Sequence, residues 1–251
     1  MDNYEILILI LSAFLTSSIS AVIGMGGGII LLGIMAIIIP EGYKVIALHG
    51  MVQLFSNTTR AYVFKKHIKK ILISQFLIGA LIGVIISICI ILILIAYYNV
   101  NSVNEIKVEF LKPFIGIFIV WNLFLKNSKK EKNINTFVPV GLIAGISSIF
   151  IGAVGPLIAP FFLSKNLTKK NIIANKAVSQ MITHITKIPL FIYFFNMNYN
   201  AELKTILPLI LAVYIGTNFG KKILNFIPEA LFKKIFKITL LIIAVRLILS
   251  N

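Results

Sequence analysis

Residues 24–28 read Gly24-Met25-Gly26-Gly27-Gly28, and they interrupt an apolar stretch that continues on both sides, over 5–23 and 29–39. Each glycine inside a helix costs about 1 kcal/mol relative to alanine, so this cluster disfavours a continuous helix. The stretch therefore reads as a helical hairpin with a long arm, an unwound tip and a short arm. The short arm has about 11 residues, and at about 1.5 Å per residue it cannot cross about 30 Å of hydrocarbon. Residues 137–164 have the same form, with Gly152-Ala153-Val154-Gly155-Pro156 at the tip and a short second arm over 156–164.

The rest of the chain surrounds these hairpins with further apolar runs, over 44–64, 71–97, 108–125, 171–195, 203–220 and 231–249. Of the 251 residues, 59% are hydrophobic and 13% charged, and the mean hydropathy is +0.98. Soluble domains carry about 25% charged residues, so a water-soluble fold is excluded. Only helices and closed barrels satisfy their backbone groups in lipid, and these runs are too long and continuous for barrel strands. The predicted fold is an all-α polytopic membrane protein. Its start, Met1-Asp2-Asn3-Tyr4-Glu5, lacks the positive n-region of a signal peptide. The first run is accordingly read as a retained helix.

The net charge of +16 would suit nucleic acid, but the lysines sit in short clusters between apolar runs, where membrane topology puts them. No nucleic-acid partner is expected. The loops 60–70, 126–132, 165–170 and 221–237 hold seventeen basic residues, against two in 40–44, 98–107 and 196–202. This bias puts the first set in the cytoplasm. Hairpin 5–39 then starts and ends outside, and hairpin 137–164 starts and ends inside.

Two inverted repeats follow, residues 1–126 and 133–251, each a broken-helix hairpin plus three transmembrane helices in one integrated domain. Residue matches agree with this division. Gly24 and Gly27 recur as Gly152 and Gly155 at an offset of 128, Gln53 and Arg60 as Gln180 and Lys187 at 127, and Gly79 and Gly83 as Gly216 and Gly220 at 137. Both termini are expected to be periplasmic, in a bacterial inner membrane. Short, Gly/Pro-interrupted segments at matching places in inverted repeats point to a transporter's binding site.

Two groups of residues are candidates for that site. The first is the pair of tips: Gly26, Gly27 and Gly28, with Gly155 and Pro156. Glycine lets unwound backbone approach a ligand, proline suits the first helical turn, and a half-helix N-terminus favours an anion. The second is a polar stripe, His49, Gln53, Ser56, Asn57 and Arg60, whose spacing puts it on one helix face. The second half repeats that spacing with Lys176, Gln180, Thr183, His184 and Lys187. Polar groups at membrane depth are expensive and normally face a cavity or one another.

All eight acidic residues fall in loops or at the ends of apolar runs. A basic, amide-lined path without a buried carboxylate points to an anionic substrate. His49 and His184 are the mid-span groups that titrate near neutral pH. The glycine pairs Gly79/Gly83 and Gly216/Gly220 read as helix-packing motifs. Cys89 stands alone in an apolar run, so neither a disulfide framework nor a cysteine metal site is expected. No catalytic residue, metal ligand or cofactor is assigned.

Together, Ala21-Val22-Ile23-Gly24-Met25-Gly26-Gly27-Gly28, Pro40, Ala47-Leu48-His49-Gly50 and the stretch 152–160 resemble the sulfite exporter TauE/SafE family, also described as the four-toluene-sulfonate uptake permease family. The likeness covers nearly the whole chain. A subset of that family resembles this chain in the pattern HGxxQxxSNxxR, here His49 to Arg60. Many members have Gly-Thr-Ser where this chain has His49-Gly50-Met51, and the second hairpin lacks the triple glycine of the first.

The resemblance implies secondary transport of sulfite, small organosulfonates or related organic anions. The expected partners are a small anion and the lipid bilayer, with proton coupling and a homodimer left open. The alternatives are an anion channel of the same architecture and an intramembrane enzyme. For an enzyme, His49, His67 and His184 show no HExxH spacing and no buried carboxylate is available.

Overall fold

The computed structural model describes residues 2–98, 117, 120, 137–151, 154–163 and 167–249. Apart from residues 117 and 120, the span expected over 108–125 lies outside the described residues. So do the loop 126–132, Lys165 and Gly152. The described residues form nine α-helices and no strand. They are α1 (Asn3–Ile23), α2 (Gly27–Ile38), α3 (Gly42–Val63), α4 (Lys70–Tyr98), α5 (Phe137–Ile151), α6 (Gly155–Phe162), α7 (Lys169–Phe195), α8 (Leu203–Leu224) and α9 (Glu229–Leu249).

Three of these, α1, α4 and α8, are long and apolar enough to cross a membrane, and α2 is a shorter apolar helix. Large apolar side chains point outward along them, as with Leu7, Leu11 and Leu15 on α1, Ile78, Ile82 and Ile85 on α4, and Leu207, Leu211 and Ile215 on α8. Apolar faces of this extent would associate in water, whereas in lipid they are matched by the acyl chains. The interior holds the opposite chemistry. Arg60, Lys176, His49, His184, Gln53 and Asn57 are all buried. The chain is a membrane protein, and these six polar residues face inward.

Three helix pairs build the body: α1 against α8, α4 against α5, and α3 against α7. The first two are glycine-mediated. Gly79 and Gly83 of α4 lie against the Val138 and Leu142 carbonyls of α5, and Gly141 and Gly145 of α5 lie against the Phe76 and Ala80 carbonyls of α4. Gly216 and Gly220 of α8 lie in the same way against the Phe14 and Ser18 carbonyls of α1. The Ser18 hydroxyl also donates to the Gly216 carbonyl at 3.0 Å. Lipid gives no hydrophobic drive to bring helices together, so van der Waals contact at small residues does it. These pairs leave α3 and α7 facing each other at the centre.

Polar contacts fix the ends of that central pair. At the basic end, Asn171 and Asn175 of α7 donate to the His67 carbonyl at 2.8 and 3.2 Å, and the Lys69 amide donates to Asn175 Oδ1 at 2.8 Å. The Lys169 ammonium caps the end of α8, donating to the Leu224 carbonyl at 3.0 Å and to the Ile227 carbonyl. At the other end Lys44 of α3 pairs with Glu202, just before α8, at 2.6 Å.

Candidate functional site

The first hairpin turns through two glycines with positive φ. Gly24 caps α1 at φ 84° and Gly26 precedes α2 at φ 92°. A side chain at either position would be strained. The turn is sealed by Phe232, Phe236 and Thr239 of α9, which stand against these glycines. Gly27 serves another purpose. A Cβ there would collide with the Thr16 backbone carbonyl of α1, so this glycine lets the two arms of the hairpin touch.

Around the tip lies a cavity of about 20 Å³, lined from the first half by Gly26, Gly28, His49, Gln53 and Arg60, and from the second by Gly155, Pro156, Lys176, Gln180 and His184. Water needs about 10–15 Å³, so in this state the space suits an occupant of about water size. Ten of the thirteen residues predicted for the site meet here. The other three do not line the cavity. Gly27 packs on α1. Asn57 braces Arg60, accepting from its Nη2 at 2.8 Å while its own amide donates to the Gln53 carbonyl at 2.8 Å. Lys187 is buried beneath Gly50 with its ammonium 5.2 Å from the Phe191 ring centre, a cation–π distance.

The two glutamines hold equivalent places. A Cβ at Gly28 would stand 3.3 Å from Gln53 Oε1, and one at Gly155 would stand 2.6 Å from Gln180 Nε2. Gly28 and Gly155 are 127 positions apart, as are Gln53 and Gln180. The sequence matches paired Gly155 with Gly27; the side-chain geometry pairs it with Gly28.

The charged groups are held by neutral partners. Lys176 Nζ donates to the Gly24 carbonyl at 2.7 Å and to Gln180 Oε1 at 3.2 Å. Arg60 donates to Ser56 Oγ at 3.4 Å as well as to Asn57. Arg60 and Lys176 are only 3% and 1% exposed, and no carboxylate is buried among the described residues. Cations taken out of water without an anion are costly, so the cavity carries a positive potential that an anion would relieve. His49 Nε2 lies 2.8 Å from the Gly28 carbonyl, and its ring meets that of His184 edge-on, with centres 6.3 Å apart.

Sequence reasoning missed Ser20, Met25 and Ile29, which also line the cavity. Ser20 had a signal in the cluster of hydroxyl residues on α1, Thr16, Ser17, Ser18 and Ser20, all buried. Met25 and Ile29 follow from the hairpin's turn and had none. Among the described residues no group of His, Cys, Asp or Glu could hold a metal ion.

A polar, positively charged cavity inside lipid-facing helices, closed by a broken-helix hairpin, is the architecture of a membrane transporter. The chain belongs to the sulfite exporter TauE/SafE family, whose model matches residues 9–247. Comparison with curated proteins gives no match, and neither does comparison with solved structures.

Proposed function

We propose that the protein is a secondary carrier that moves a small anion, sulfite, an organosulfonate or a related organic anion, across the bacterial inner membrane by alternating access. The observation that carries this reading is the cavity itself. Two buried cations, Arg60 and Lys176, face it beside two glutamines and two hairpin tips, with no buried carboxylate among the described residues. First-turn amides of α2 and α6 add the favourable end of a helix dipole. Sulfite and sulfonates are compact oxyanions that such donors bind. The family, described as sulfite exporters, favours a sulfur oxyanion among the candidates.

Two inverted repeats fit this reading. Gly28 with Gln53 and Gly155 with Gln180 make matching pairs, and each glycine-paired helix, α4 or α8, packs on the long hairpin arm of the other half. On this account residues 1–126 and 133–251 are the repeats, both termini are periplasmic, and the site lies near mid-membrane, where broken helices of transporters meet. A cavity closed to about 20 Å³ favours a carrier over an open channel, because a sulfur oxyanion needs the site to widen. Thermal-shift titration of the purified protein with sulfite, methanesulfonate, acetate and phosphate tests the reading: sulfite should stabilise it most. Equal stabilisation by sodium and potassium chlorides alone would count against it.

A further inference from the structure

His49 lines the cavity with both ring nitrogens committed to different chemistry. Its Nε2 lies 2.8 Å from the Gly28 carbonyl. A carbonyl only accepts, so Nε2 carries the proton, and in the neutral ring Nδ1 is an acceptor. Among the described residues that Nδ1 is buried without a hydrogen-bond partner, as is Nδ1 of His184, whose ring meets it edge-on. Buried acceptors left unsatisfied are rare and call for an explanation. Of the other functional groups around the cavity, Arg60 and Lys176 supply donors only, Ser20 and the two glutamine amides supply donors as well as acceptors, and His184 shares the unpartnered nitrogen. A buried ring nitrogen that can only accept is out of place beside an anion without a hydrogen.

We infer, building on the anion-carrier reading, that the site selects a singly protonated oxyanion, whose negative oxygens meet Arg60 and Lys176 and whose O–H is accepted by His49 Nδ1. His49 is then the residue that determines specificity, and the anion and its proton cross together. The charged and titratable groups around it are Arg60 from α3 and Lys176, His184 and Lys187 from α7, while α2 and α6 bring none. Among those cations a proton is better delivered by a ligand that brings negative charge with it than by the ring. Sulfite takes up one proton near neutral pH and so offers the required O–H; methanesulfonate and sulfate do not.

The test is calorimetric titration of the purified wild-type protein and His49→Gln with sodium sulfite and sodium methanesulfonate, at about pH 6 and about pH 8. Glutamine keeps a donor near the Nε2 position and removes Nδ1. Wild type should bind sulfite about tenfold more tightly at the lower pH, where the hydrogensulfite form dominates, and methanesulfonate weakly and without pH dependence. His49→Gln should bind the two ligands alike at both pH values. A parallel pH dependence for methanesulfonate, or an unchanged sulfite preference in His49→Gln, would overturn the inference while leaving the anion site in place. If neither anion binds wild type at either pH, the carrier reading itself fails and this inference falls with it.

Discussion

Lys176 Nζ donates to the Gly24 carbonyl across 2.7 Å, so a cation from the second half of the chain holds the unwound tip of the first. The same ammonium reaches Gln180 in its own helix and faces the cavity. On the carrier reading proposed above it has two tasks, bracing the turn and presenting charge to a ligand, and substitution separates them.

Lys176→Met keeps the length and apolar stem of the side chain and removes the charge. The melting temperature should change little. The loss of the hydrogen bond to Gly24 is offset by no longer burying an ammonium in the protein interior. Sulfite affinity should fall by about 1.5–3 kcal/mol, or roughly ten- to a hundredfold. Thermal melting and a sulfite titration on the same sample check both halves of this prediction, and an unaltered affinity would assign Lys176 to the fold alone.

Gly27 and Gly28 are adjacent, yet their substitutions should behave differently. Gly27→Ala drives a methyl group into the Thr16 carbonyl, so the hairpin arms must separate and stability should fall by about 1–3 kcal/mol. Gly28→Ala meets only the end of Gln53, at 3.3 Å, so the protein should melt near the wild-type temperature and bind sulfite more weakly. Reversed outcomes would exchange the roles given to the two glycines.

The contrast shows where the sequence is legible. The stripe from His49 to Arg60 follows from helical periodicity, and its counterpart from Lys176 to His184 is placed by the same rule. Their convergence on one cavity follows from α3 packing on α7. The glycine run says that the helix breaks, but not which glycine turns and which one touches. Gly24 and Gly26 take the positive φ values, and Gly27 takes the contact. Asn57 and Lys187 lie on the predicted faces and are spent on bracing Arg60 and on the Phe191 ring. Side-chain direction within a stripe depends on what the neighbouring helix offers, and periodicity carries no record of that.

Topology is open to labelling. With Cys89 replaced by serine, a single cysteine placed in the loop 126–132 should resist an impermeant thiol reagent in intact cells, and one placed in the loop 196–202 should react. These follow from the basic bias of the first loop and its absence from the second. Reaction at the first site in intact cells would invert the scheme and place the termini in the cytoplasm.

The most direct measurement is counterflow in liposomes containing the purified protein and loaded with unlabelled sulfite. Labelled sulfite added outside should accumulate transiently and saturably with wild type, and Arg60→Met and Lys176→Met should show no accumulation above protein-free liposomes. Uptake that rises linearly with concentration, without an overshoot, would contradict a carrier and support a channel. Full counterflow in both variants would contradict the assignment of the anion site to the cavity between α3 and α7.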